Sequence, residues 1–129
     1  MINLLTKQKK YRGYDIIINF YGPSEPPSLE GWFYGYVRLP DGHAFYEQDN
    51  DKIKDYINVH GGVTFVGGLT GYDGLFIGFY CGHEGDDPRV QNEEYTTREC
   101  ERMIDQLIEL ENLEVDKTGS GKGGVVDDE

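Results

Sequence analysis

Three histidines stand beside glycine in this chain: Gly42-His43, His60-Gly61-Gly62 and Gly82-His83-Glu84-Gly85-Asp86. Glycine next to a polar side chain lets backbone or a ligand approach closely. Imidazole, carboxylate and thiol are the ligand types of zinc and similar borderline metals. If neighbouring strands deliver them to one end of a sheet, His60, His83 and Asp86, with His43 and Cys81 nearby, form a polar cluster that suits metal-assisted hydrolysis. No local metal spacing such as HExxH or CxxC is present, so the expectation is that no metal is held, with zinc on His60, His83 and Asp86 as the alternative. His60, His83 and Asp86 are expected near one edge of the sheet.

Other chemistry has less support. Cys81 ends an apolar run two residues before His83, but no basic residue close in sequence lowers its thiol pKa, so it reads as a buried thiol. Cys100 falls on an apolar helical stripe. There is no G-x-S-x-G elbow, and Gly67-Gly68-x-x-Gly71 leads into a strand where a dinucleotide fingerprint would lead into a helix. Gly119 to Gly124 (GSGKGG) lacks the flanking strand, helix and Ser or Thr of a phosphate loop. Asp49, Asp51 and Asp55 lack the central glycine and closing Glu of a calcium loop. A small-ligand surface remains. Tyr34, Tyr36, Tyr72, Phe79 and Tyr80 interleave with glycine, and Arg38, Arg89, Arg98 and Arg102 can hold phosphate. Catalytic residues are not assigned. The ligand-binding candidates are His60, His83, Asp86, His43, Arg98 and Arg102.

These residues need elements to position them. The 129 residues suffice for one domain. Eighteen Gly and ten Tyr favour short strands and turns over a helix bundle. Residues 1–12 read as an edge strand bearing Lys7, Lys9, Lys10 and Arg12, with lysine discouraging edge-to-edge association. Residues 14–21, 31–39, 57–66 and 75–81 read as further strands. In the second of these, Trp32, Tyr34 and Tyr36 share one face, and Phe33, Gly35 and Val37 the other. Residues 43–56 read as a loop with one helical turn. Residues 96–111 read as a helix, capped by Thr96 with Glu99 three residues on, with an apolar stripe through Cys100, Met103, Ile104 and Leu107. The expected fold is α+β: a twisted, mainly antiparallel sheet of four to six strands with one C-terminal helix packed on it. Residues 1–113 form the domain, and residues 114–129 a flexible acidic, Gly-rich tail.

Net charge narrows the partners. Twelve Lys and Arg against 24 Asp and Glu leave −12, which repels a phosphate backbone and an anionic membrane. A basic host protein or a small nucleotide-like ligand is the expected partner, with direct nucleic-acid or membrane binding excluded and a homo-oligomer allowed. No apolar run reaches the roughly 18 residues of a membrane span. Two cysteines suit a reducing, cytoplasmic setting in a host cell.

Four blocks carry a resemblance. GYVRLPDGHAFY (35–46), INVHGGVTFVGG (57–68), LFIGFYCGHEGDD (75–87) and TTRECERMIDQLIEL (96–110) occur in the order of, and are similar to, the blocks of a family of small phage and prophage proteins. All three histidines fall inside them. The chain departs from the family pattern at Ala44 (Pro in the family), Tyr80 (often Asp) and Gly82 (Ala). The resemblance implies a phage or prophage accessory protein and carries no activity with it; the function expected of the chain is non-enzymatic binding. Its layout is similar to that of phage proteins that counter host defence by sequestering a nucleotide signal as oligomers or by blocking a defence protein. A metal-dependent hydrolase using His60, His83 and Asp86 is the alternative.

Overall fold

The computed structural model describes residues 2–26, 30–43 and 50–118. The chain opens with β1 (Ile2–Tyr11) and β2 (Tyr14–Gly22), an antiparallel pair closed by Arg12 and Gly13. Those two residues take φ of 51° and 85°, the positive pair that a twisted two-residue hairpin requires. Arginine is an unusual choice there, and an ion pair to Asp105 at 2.9 Å holds it in place. Next come β3 (Trp32–Leu39), the short α1 (Asn50–Tyr56), β4 (Phe65–Gly67), β5 (Leu75–Tyr80) and α2 (Glu93–Thr118). The sheet runs β1-β2-β3-β5-β4, antiparallel throughout, with β1 and β4 at its edges. This is the α+β architecture expected, with five strands among the described residues.

Strand alternation sorts the side chains onto two faces. Ile16, Ile18 and Phe20 of β2, Phe33 and Val37 of β3, and Ile77 and Phe79 of β5 point to α2, where Cys100, Met103, Ile104 and Leu107 meet them. Burying each of these large apolar side chains stabilises by roughly 1.5–3 kcal/mol. Gly35 sets how near the helix comes, because a β-carbon there would lie 2.8 Å from Cys100 Sγ. Among the described residues no helix covers the opposite face. Ile17, Tyr36 and Phe76 form a smaller cluster there with Tyr34, Phe65, Leu69 and Tyr72. Tyr34 stacks on Tyr80 with ring centroids 5.5 Å apart, and Tyr21 meets Tyr34 edge-on at 4.9 Å.

The structure corrects four expectations. Residues 57–66 are not one strand; only Phe65–Gly67 pairs, because Gly61 and Gly62 take φ of 69° and 82° and turn the chain. The helix does not start at Thr96. Asn92 caps it, its Oδ1 accepting the Tyr95 N–H at 2.9 Å, while the Thr96 hydroxyl sits inside the helix and donates to the Asn92 carbonyl. The helix continues beyond Leu113 to Thr118. Phe79, placed among ligand-facing aromatics by its spacing, is core. Residues 44–49, with Asp49, and the segment 119–129 lie outside the described residues.

Candidate functional site

His60 occupies the turn before Gly61, and three groups hold it. Its backbone N–H donates to Glu99 Oε1 at 2.9 Å. Its Nε2 lies 2.8 Å from Asp86 Oδ2 and its Nδ1 2.8 Å from the Tyr95 hydroxyl. A carboxylate only accepts, so the network assigns a proton to Nε2, and in the neutral imidazole Nδ1 accepts a hydrogen bond from the Tyr95 hydroxyl. Asp86 Oδ2 also accepts the backbone N–H of His83 at 2.9 Å. One carboxylate oxygen therefore ties the 60–62 turn to the 83–86 turn.

The His83 ring lies 4.3 Å from the Tyr80 ring and 5.9 Å from the His60 ring, centroid to centroid. Its Nε2 is buried without a hydrogen-bond partner and faces Gly61. Helix α2 secures the same segment a second time. Gln106 Oε1 accepts the Asn58 N–H, and Gln106 Nε2 donates to the Asn58 carbonyl, both at 2.7 Å. Arg102 Nε in turn donates to Glu99 Oε2 at 3.0 Å.

The structure thus brings His60, His83 and Asp86 together, through turns and not through paired strands. His43 stands apart. Its side chain is 1% exposed, with Nε2 2.8 Å from the Leu107 carbonyl and Nδ1 3.3 Å from Glu111. Twelve residues of helix separate Leu107 from Tyr95, about 18 Å along its axis. Among the described residues no group of three or more His, Cys, Asp or Glu is arranged to hold a metal ion. Burial pushes the Cys81 thiol up to about 12, against the hydrogen bond to Thr96 that opposes it. Burial also raises the Cys100 thiol well above its ordinary value. Neither thiol is a thiolate near neutrality.

The arginine candidates are engaged with acids. Arg98 pairs with Glu94 and Arg102 with Glu99, each at 3.0 Å. Arg12, Arg38 and Arg89 pair with Asp105, Asp41 and Asp87, so all five arginines of the chain face a carboxylate.

Sequence reasoning missed a polar row on the helix-free face. Asn19, 5% exposed, accepts from Thr6 Oγ1 at 2.9 Å and donates to Tyr21 Oη at 3.2 Å. Asn3 donates to Thr6 Oγ1 at 2.7 Å. The signal was a single amide inside the apolar run YDIIINFY, at a position where alternation would bury it. Cavities of about 540 Å³ and 520 Å³ flank Tyr72 on this face. A third, of about 880 Å³, lies between β1 and the start of α2. No helix among the described residues is long and apolar enough to cross a membrane. No protein family, curated protein or solved structure matches the chain.

Proposed function

We propose that this chain is a non-enzymatic binding protein, an accessory protein of phage type that captures a ligand or partner and releases it unchanged. One observation carries the binding reading. The cluster with the most reactive side chains offers no open polar atom of the two imidazoles: both His60 nitrogens and the inner oxygen of Asp86 are bonded within the fold, and His83 Nε2, which has no partner, is buried against Gly61. A general base must reach a substrate proton with a nitrogen or oxygen that is open to it. Both thiols are buried as well. The open features are clefts, which suit binding. The phage setting draws support from the four sequence blocks, and a counter-defence role only from the similar layout of small phage proteins. The −12 charge supports a basic protein or a small molecule over nucleic acid.

The hydrolase reading draws on the 5.9 Å approach of His60 and His83, and it requires a metal to displace the His60–Asp86 bond. The deciding experiment combines equilibrium dialysis with chromatography of the captured compound. Purified protein is incubated with nucleotides and neutral oligosaccharides, with and without zinc. Stoichiometric capture with unchanged recovery supports binding. Product exceeding the moles of protein overturns it.

A further inference from the structure

The two cavities beside Tyr72 share Gln8 and Tyr72 as walls, so they form one groove across β1, β2 and the 68–74 turn. We propose that this groove is a binding site for an uncharged, hydroxyl-rich ligand, a short neutral oligosaccharide. The inference rests on the binding reading above and names the surface and the ligand class.

The lining carries the argument. On a chain in which 28% of residues are charged, the 520 Å³ half has no charged side chain in its wall. Thr6, Gln8, Asn19, Tyr21, Thr70 and Tyr72 supply hydroxyls and carboxamides. These groups both donate and accept, as sugar hydroxyls do. They are also preorganised. Asn19 is fixed by Thr6 and Tyr21, and the Tyr72 hydroxyl by Gln8 Nε2 at 3.2 Å. The carboxamide of Asn19 has two N–H groups and an oxygen with two lone pairs, more than those two bonds use.

The 540 Å³ half holds five charged residues, and its three cations are in pairs: Lys9 meets Glu93 at 3.0 Å, while Asp73 adds a further carboxylate to the wall. Lys10 meets Asp15 at 2.8 Å, and Arg38 meets Asp41 at 3.3 Å while its Nε donates to the Asp73 carbonyl at 3.0 Å. A phosphate would have to compete with Asp15 and Asp41 for these cations and would meet the Asp73 carboxylate as well. A hydroxyl can bond to either partner of an intact pair. Tyr72, set edge-on to Phe76 at 6.0 Å, offers an aromatic wall for the apolar face of a sugar ring. Each half falls within the few hundred to about a thousand Å³ of small-molecule sites.

Calorimetric titration of the full chain with maltotriose, cellotriose and triacetylchitotriose, and with AMP as the charged probe, tests the proposal. We expect one of the trisaccharides to bind one per chain with Kd at or below about 1 mM. Tyr72→Ala should weaken that binding about tenfold, with the thermal midpoint retained. Should Tyr72→Ala fail to fold, amide shifts of the wild-type chain replace it: changes centred on Thr6, Asn19, Tyr21 and Thr70 support the site, and changes elsewhere overturn it. Absence of binding by all three sugars overturns the proposal, as does binding that a folded Tyr72→Ala leaves intact. Binding of AMP in their place overturns the ligand class and leaves the binding reading standing. Hydrolysis of a sugar bound in the groove overturns the binding reading and leaves the site standing.

Discussion

Gly61 packs against the imidazole of His83, so closely that a β-carbon on Gly61 would overlap Nε2. The ring is sandwiched between that glycine and Tyr80, and the 60–62 turn depends on both. Gly61→Ala combines a left-handed backbone, about 1–2 kcal/mol, with overpacking of about 1–3 kcal/mol. Gly62 also has positive φ but open space around it, so Gly62→Ala meets only the first cost. Urea denaturation of the two variants should place Gly61→Ala well below Gly62→Ala. Equal midpoints would show that the ring moves aside freely.

Asp86 joins two turns through one oxygen. Asp86→Ala removes the acceptor of both His60 Nε2 and the His83 N–H, and should destabilise by roughly 2–4 kcal/mol, since hydrogen bonds to a charged group contribute about 1.5–3 kcal/mol each. Asp86→Asn keeps one acceptor and should lose less. Thermal midpoints unchanged in both variants would mean that the cluster is not a brace, and would return it to consideration as a ligand site.

Cys81, Cys100 and Tyr36 all have burial as the first cause of a raised pKa. Each folded value lies above its unfolded one, so the native state holds these protons more tightly. Their contribution to stability is complete below the unfolded thiol value of about 8.5 and is lost as pH rises toward the folded value of Cys81, about 12. Denaturant midpoints should therefore fall between about pH 8.5 and pH 11. At about pH 8 both thiols should resist alkylation in the native protein and react at once in denaturant. Rapid native labelling of Cys81 would contradict its burial.

Leu107 is 0% exposed at the centre of the α2 stripe. Leu107→Ala should cost about 2–5 kcal/mol, read as a shift of the chemical denaturation midpoint. A wild-type midpoint would place the stripe outside the core.

Asn92 and Thr96 compete as the start of α2, and the geometry favours Asn92. Asn92→Ala should lose about 1 kcal/mol, and Asn92→Ser should restore most of it. A full effect in Asn92→Ser would mean that Asn92 acts through packing and not as a cap.

The strands at 14–21, 31–39 and 75–81 could be read because their side chains alternate and both faces are filled. The 57–66 segment misled for the same reason. Ile57, Val59, Val63 and Phe65 alternate as a strand would, and the first three are buried, but two positive-φ glycines bend the backbone between them. Alternation reports burial and not pairing. The capping box at Thr96 and Glu99 misled because Glu99 has another task, accepting the His60 N–H. Asn92-Glu93-Glu94 carried the competing signal: a cap residue followed by two acids in the first turn. The meeting of His60, His83 and Asp86 was foreseeable from their glycine neighbours. That Tyr95 would complete it was not, because the contact joins a turn to a helix 35 residues away.

The strand order has a consequence for synthesis. β1, β2 and β3 pair in sequence, so the emerging chain can build this meander as it leaves the ribosome. β5 then takes the place beside β3, and β4, made earlier, can join only through β5. Until Tyr80 is clear of the exit tunnel, the outer side of β3 is an open edge, and the apolar face that α2 will cover stays wet. The nascent protein thus passes through a stage in which much of its stickiest surface is formed and the helix that covers it has yet to emerge. At that stage the lysines of β1 are the charges that keep the meander's other edge from joining a neighbouring chain.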